Sequence, residues 1–307
     1  MKNKIMLLFW CALSSLFSLI VTGFVFTIDG YTALRSYGEE PTYKVYALEL
    51  PDTLSFAEEK VPINSPDLRE RLDRELLVNT YWQSNMMLLL KRANKYFPTI
   101  ERILKEEGVP SDLKYLSIIE SGLENVISPK GAKGFWQIMR TTGREYGLEV
   151  NSNVDERYHI EFSTRMAAQY LKKAKKKFGS WTLAAASYNR GISGISRSLD
   201  AQKVKSYFDL QLGQETSRYV FRVLAVKEII ENPLKYGYVF DDTDLYYSVP
   251  VRYHALDTAI SNLTAFAEKM GINYKILKIH NPWLLQNHLN NRSRKYYEIA
   301  IPEKGYY

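Results

Sequence analysis

The sequence predicts a mainly α protein with a small β-α-β module at its C-terminal end and an apolar segment at its N-terminus. Three observations carry that reading. Between about residues 67 and 233, apolar residues recur at three- and four-residue spacing, and glycine and serine interrupt them as helix stops and caps. After Tyr238 the pattern changes to two alternating, strand-like runs around one helical stretch. At the start, Lys2 and Lys4 precede a run without charge over residues 5–26.

That run is 22 residues long, and a helix of roughly 20 apolar residues spans a bilayer. Residues 1–30 are therefore read as a signal peptide or an uncleaved membrane anchor, with the rest of the chain exported. Cys11 is the only cysteine. Phe9 and Trp10 before it are not the small residues that a lipidation site needs, and the exported part has no disulfide to rely on. Residues 31–75 read as a connector. Tyr43 to Leu48 alternates like a short strand, and Pro41, Pro51, Pro62 and Pro66 punctuate the stretch.

Residues 76–240 form the helical domain. Thr99 is expected to cap a helix that stops at Gly108, and Ser111 to cap a second that closes at Gly122. Ser163 opens a long amphipathic stretch carrying Met166, Ala167, Tyr170, Leu171, Ala174 and Phe178, which Gly179 ends. Ser180 starts an alanine-rich helix, and another runs from about Glu215 to Pro233. Residues 241–307 form the module, with strands expected over 245–253 and 296–301 and a helix over 260–270.

The formal charge of +7 suits an anionic polymer or a membrane surface, or equally a solvated basic face at Lys172 to Lys177. An exported protein rarely meets nucleic acid, so that partner is not expected. His159, His254, His280 and His288 show no ligand spacing with each other or with cysteine, so no metal is expected. Neither a phosphate loop nor a serine or cysteine nucleophile motif is present, and no cofactor is predicted.

Leu113, Leu116 and Glu120 share one helical face. A carboxylate on an apolar stripe at a helix C-terminus is disfavoured as an ion, both by lost hydration and by the helix dipole. An upward-shifted pKa is what a general acid near neutral pH requires. On its own, such a glutamate is more often a salt-bridged or partly exposed one; the surrounding text reverses that reading.

Glu120-Ser121-Gly122 is followed by Ser128-Pro129-Lys130-Gly131-Ala132-Lys133-Gly134-Phe135-Trp136-Gln137-Ile138-Met139, then by Ala185-Ala186-Ser187-Tyr188-Asn189-Arg190-Gly191 and by Glu215-Thr216-Ser217-Arg218-Tyr219-Val220. In this order and spacing the blocks resemble the lytic transglycosylases with a goose-type lysozyme-like (SLT) domain, of the membrane-bound murein transglycosylase D type. Tyr96 to Glu101, Glu107 to Pro110 and Val154 to Arg157 extend the likeness over about residues 75–235. The resemblance implies a lysozyme-like fold acting on the glycan strands of peptidoglycan. It implies Glu120 as the catalytic acid and base and Ser128 as a serine near that carboxylate. Gln137 and Met139 would be groove residues, Tyr188 and Asn189 would stand beside the glutamate, and Glu215 and Tyr219 would line the groove farther off. Ser187, Arg190 and Arg140 depart from the family's usual residues.

The implied reaction needs one carboxyl group. Glu120 protonates the bridging oxygen, then deprotonates the muramic acid's own C6 hydroxyl, which closes a 1,6-anhydro ring without water. Glycosidases usually employ two carboxylates, for which Glu124 and Asp155 are the nearest in the text. A muramidase using water, a non-catalytic peptidoglycan-binding protein and an envelope scaffold remain as alternatives. Residues 249–302 resemble a LysM glycan-binding repeat in degenerate form, with Ala255-Leu256-Asp257-Thr258 at its usual signature; glycan binding and capping of the helical domain fit it equally.

Overall fold

The computed structural model describes residues 45–307. The apolar run over residues 5–26 lies outside them. Among the described residues no helix is long and apolar enough to cross a membrane. Residues 48–307 form one compact unit.

That unit opens with a minimal hairpin, β1 (Ser55–Phe56) against β2 (Glu59–Lys60). Of the strand expected over residues 43–48, the described part is in no strand. Within the stretch read as a connector, Leu54, Phe56, Val61 and Ile63 are buried and belong to the main core.

Helices α1 (Pro66–Tyr81) and α2 (Gln83–Glu106) follow. The helix start expected at Thr99 does not exist, because α2 runs straight through Pro98. Its buried face explains this: Met86, Leu89, Leu90, Ala93, Phe97, Ile100, Ile103 and Leu104 continue one stripe across the proline. An interior proline costs about 3 kcal/mol, whereas each buried Leu, Ile or Phe contributes about 1.5–3 kcal/mol. A 3₁₀ turn, Ser111–Lys114, leads into α3 (Tyr115–Ser121), which Gly122 closes in the left-handed conformation at φ 63°.

After a glycine-rich loop come α4 (Arg140–Glu145) and α5 (Ile160–Phe178). Helix α5 begins before Ser163, whose hydroxyl instead donates back to the His159 and Ile160 carbonyls. Gly179 ends it as expected, at φ 71°. Helix α6 (Trp181–Arg190) is capped by Ser180, which accepts from the Leu183 amide. Glu59 from β2 reinforces that cap, accepting from the amides of Trp181 and Thr182 and from both neighbouring hydroxyls. Burial works against its charge, but hydrogen bonds from Thr182, Ser180 and Trp181 outweigh it and hold the Glu59 carboxyl at about 2. Helices α7 (Ile192–Gln202) and α8 (Gln214–Glu231) complete the helical part. Helix α8 is the central element, with Val220, Phe221, Val223, Leu224, Ala225 and Ile229 fully inside.

The C-terminal module is β-α-α-β, with one helix more than expected. Strand β3 (Val251–Leu256) starts just after Pro250 and pairs antiparallel with β4 (Tyr297–Pro302), with Tyr253 opposite Ala300. Between them lie α9 (Leu263–Lys269) and α10 (Tyr274–His280). Helix α10 is two turns long and capped by Asn273, too short for its periodicity to stand out. The module has its own core around Leu263, Leu277, Leu284, Ile299 and Ile301, into which Val154 of the helical part inserts. The polar side of this junction is dense. Asn153 donates to the His288 carbonyl at 2.8 Å and accepts from the Asn290 amide at 2.7 Å, and Lys295 pairs with Glu149 and Glu156.

Candidate active site

Glu120 sits in the last turn of α3, partly buried, with Leu113 and Leu116 of the same face fully inside. The left-handed Gly122 ends the helix, and Ser121 ties this end to the glycine loop by donating to the Phe135 carbonyl at 2.9 Å. The Tyr219 hydroxyl, brought by α8, donates to Glu120 Oε1 at 2.6 Å. Burial pushes the Glu120 carboxyl up to about 7. The Tyr219 hydrogen bond and the Arg222 charge pull it partway back, while the Glu215 charge adds to the rise.

Three of the expected residues interact with this carboxyl: Tyr219, Glu215 and Tyr188. Tyr188, on α6, donates to the Trp136 carbonyl at 2.8 Å and packs edge-on against Tyr170. Burial and the Glu120 charge push the hydroxyls of Tyr188 and Tyr219 well above the ordinary phenol range, so both remain protonated donors. Asn189, one residue on, joins α6 to α8. Its amide donates to Glu215 Oε1 at 3.0 Å and its oxygen accepts from Thr216 at 2.7 Å.

Ser128, Gln137 and Met139 belong to the loop between α3 and α4. The Ser128 hydroxyl accepts from the Ala132 amide at 3.0 Å, and Gln137, at φ 45°, donates its amide to the Val126 and Gly134 carbonyls. Among the described residues, their hydrogen bonds build the loop rather than reach Glu120. Met139 is exposed at the start of α4. Behind the loop, Asp155 holds Arg157 at 2.8 and 2.7 Å, and Arg157 donates to the Gly131 and Ile138 carbonyls. The fit at Gly134 is tight: a Cβ there would lie 2.0 Å from the Arg157 carbonyl oxygen.

Neither carboxylate named from the text as a possible second group is placed for chemistry. Asp155 is buried and committed to Arg157; Glu124 pairs with Arg92 at 2.7 Å. Arg222, whose charge acts on Glu120, was not among the expected site residues. Its one sequence signal is the three-residue step from Tyr219 on the same helix.

Residues 97–210 fit the family described as "Transglycosylase SLT domain". The chain carries an SLT domain. Residues 252–305, behind the SLT domain, fit "Soluble lytic transglycosylase C-terminal LysM-like domain". The chain is homologous to membrane-bound lytic murein transglycosylase D of Escherichia coli, at 28% identity over 262 residues, which is 82% of this chain and 56% of the relative. It thus spans about half the length of the curated relatives it matches. Among solved structures, an inactive mutant of the lytic transglycosylase Slt from Pseudomonas aeruginosa is 24% identical (TM-score 0.36, covering 49% of this chain and 26% of that one). The 70 kDa soluble lytic transglycosylase from Escherichia coli is 19% identical (TM-score 0.40, covering 59% and 32%). The SLT match begins in α2 and ends just after α7, so it contains Glu120, Ser128, Gln137, Met139, Tyr188 and Asn189. Glu215 and Tyr219 lie beyond it, on α8.

Proposed function

We propose that this chain cuts the β-1,4 bond between N-acetylmuramic acid and N-acetylglucosamine in peptidoglycan without water, leaving 1,6-anhydro ends. Residues 76–240 are its lysozyme-like cutting domain and residues 241–307 a docked LysM-like module. The observation that carries the reading is the state of Glu120. A carboxyl with a pKa of about 7 still holds its proton near neutral pH and can give it to a departing glycosidic oxygen. Once ionised, it is stabilised by the Tyr219 hydroxyl at 2.6 Å and by the Arg222 charge, and it can then take the proton of the muramic acid's C6 hydroxyl. The attacking hydroxyl belongs to the substrate, so its high effective molarity stands in for a second protein nucleophile. Tyr188, Asn189, Ser128, Gln137 and Met139 would position the sugars. Residues 5–26 would serve as signal or anchor, holding the work on the periplasmic side of the envelope.

One observation favours a second reading. The Glu215 charge reaches Glu120, and a carboxylate pair of that kind can activate water in a hydrolytic muramidase. Mass spectrometry of peptidoglycan digests separates the two. Anhydro-muramic ends, absent with Glu120→Gln and still formed by Glu215→Gln, are expected. Reducing ends lost with Glu215→Gln would establish hydrolysis instead, and a full set of products from Glu120→Gln would remove Glu120 from the mechanism.

A further inference from the structure

Helix α5 carries more positive charge than the fold uses. After Glu161 its sequence holds six cations and no carboxylate: Arg165, Lys172, Lys173, Lys175, Lys176 and Lys177. Three of these have structural work. Arg165 and Lys172 pair with Glu106 and Glu107 at the end of α2, at 2.6 and 2.9 Å. Lys175 pairs with Glu59 and donates to the Gly179 carbonyl at 2.8 Å, so it already answers the negative end of the helix dipole. Lys173, Lys176 and Lys177 are exposed and, among the described residues, have no carboxylate partner. Lys173 stands three and four residues before the other two, a spacing at which like charges repel and weaken a helix.

The three continue a longer face. Phe162, Arg165, Gln169, Lys172, Lys173 and Lys176 follow one another at three- and four-residue steps, so they share the outer side of α5 over about 20 Å. Phe162, at the far end of that face, is 45% exposed. The lysines lie where α5 meets the start of α6: the Lys175 ammonium stands 5.4 Å over the Trp181 ring. Tyr188, whose hydroxyl senses the Glu120 charge, belongs to the last turn of α6. The lysines and the candidate active site are thus at opposite ends of that helix.

We propose that this face of α5 docks on an anionic lipid bilayer, with the lysines at the phosphate headgroups and Phe162 among the upper parts of the acyl chains. The choice of a bilayer rests on the reading of residues 5–26 as a signal or anchor. The 21 residues between that run and residue 48 reach at most about 75 Å, which keeps the helical part within range of the membrane that holds the run. Lysines flanked by an exposed aromatic suit the headgroup boundary, whereas an anionic polymer in water offers Phe162 nothing. The run would set the distance from the membrane, and the lysine face the orientation.

The test is mass-spectrometric footprinting of the full chain with a water-soluble amine-acylating reagent, in phosphatidylcholine vesicles and in phosphatidylglycerol vesicles. An anchored chain is held by both lipids, so the comparison reads the face alone. Lys173, Lys176 and Lys177 should react about tenfold or more slowly on phosphatidylglycerol. Lys130, exposed in the glycine loop, should react at one rate on both. Equal acylation of the three lysines on the two lipids, or equal slowing of Lys130, overturns the proposal. Protection that requires added peptidoglycan and is the same on either lipid overturns it in favour of the wall polymer. A chain that does not float with phosphatidylcholine vesicles contradicts the anchor reading instead. The face is then read by titrating that chain with phosphatidylglycerol vesicles. Exchanging the three lysines for glutamine should weaken binding about a hundredfold, and unchanged binding overturns the proposal.

Discussion

Glu120 holds a proton that an ordinary glutamate would have lost, and the folded state bears the cost. Its carboxyl titrates at about 7 rather than 4.5. The native chain therefore binds more protons than the unfolded one between those values, and stability falls as pH rises through that window. Above pH 7 the ionised group costs about 3 kcal/mol, at 1.36 kcal/mol per pKa unit. Glu120→Gln should thus be more stable than the parent by about that amount at pH 8 and equal to it at pH 4; urea unfolding at the two pH values measures the difference. No gain at pH 8 would mean an ordinary carboxylate. The Tyr219 hydrogen bond acts in the opposite direction, favouring the ion. Tyr219→Phe should move the alkaline limb of the pH–rate profile upward and lower the maximum rate about ten- to a hundredfold. A profile that keeps its limb while the rate falls would assign the hydroxyl to the sugar instead. The burial of the face that carries Glu120 was legible in the sequence because Leu113 and Leu116 lie within two turns of it. The resemblance set Tyr219 farther off along the groove, whereas its hydroxyl bonds Glu120 directly, and Arg222 was not named, since nothing local reports which helices will meet.

At the scale of single elements, caps decided how well the sequence read. Gly122, Gly179 and Ser180 end or begin helices where expected, because a left-handed glycine and a capping hydroxyl act on their own neighbours. Thr99 failed because the buried stripe of α2 outweighs Pro98, and burial is not visible in a seven-residue window. Ser163 failed for a related reason, its hydroxyl being spent inside the first turn of α5. Glu59 shows a cap supplied from a distance, more than a hundred residues from the α6 amides it serves. Its folded carboxyl lies below the unfolded value, so its contribution is present above about pH 4.5 and is lost as pH falls through about 2. Glu59→Gln should cost about 2 kcal/mol at pH 7, in the range of a strong cap, with the difference shrinking toward pH 2. Thermal melts across that range check it. Equal melting at pH 7 would show that Ser180 suffices.

For the whole molecule, the junction between the helical part and the module was the least legible feature. Val154 and Glu156 stood in the sequence only as text resembling a family block, and Asn153 was not singled out at all. In the structure Val154 enters the module's core, and Asn153 satisfies two backbone groups of the loop before β4. Asn153→Ala leaves the Asn290 amide and the His288 carbonyl without those partners. It should cost about 1–3 kcal/mol and speed amide exchange at Asn290, with little change at α8. Uniform exchange across both parts would mean that the junction's other bonds suffice, among them the Lys295 pairs and the Asp155 amide on the Trp283 carbonyl.

The hydrogen bond between Tyr219 and Glu120 joins residues 99 positions apart in the chain, and the burial that raises the carboxyl depends on the same meeting of helices. A chain still being synthesised, or one that has misfolded, carries a glutamate like any other, ionised at neutral pH and with no proton to give. On the reading proposed above, the ability to donate that proton therefore arises in the same event as the native packing of α3 against α8, and is lost with it.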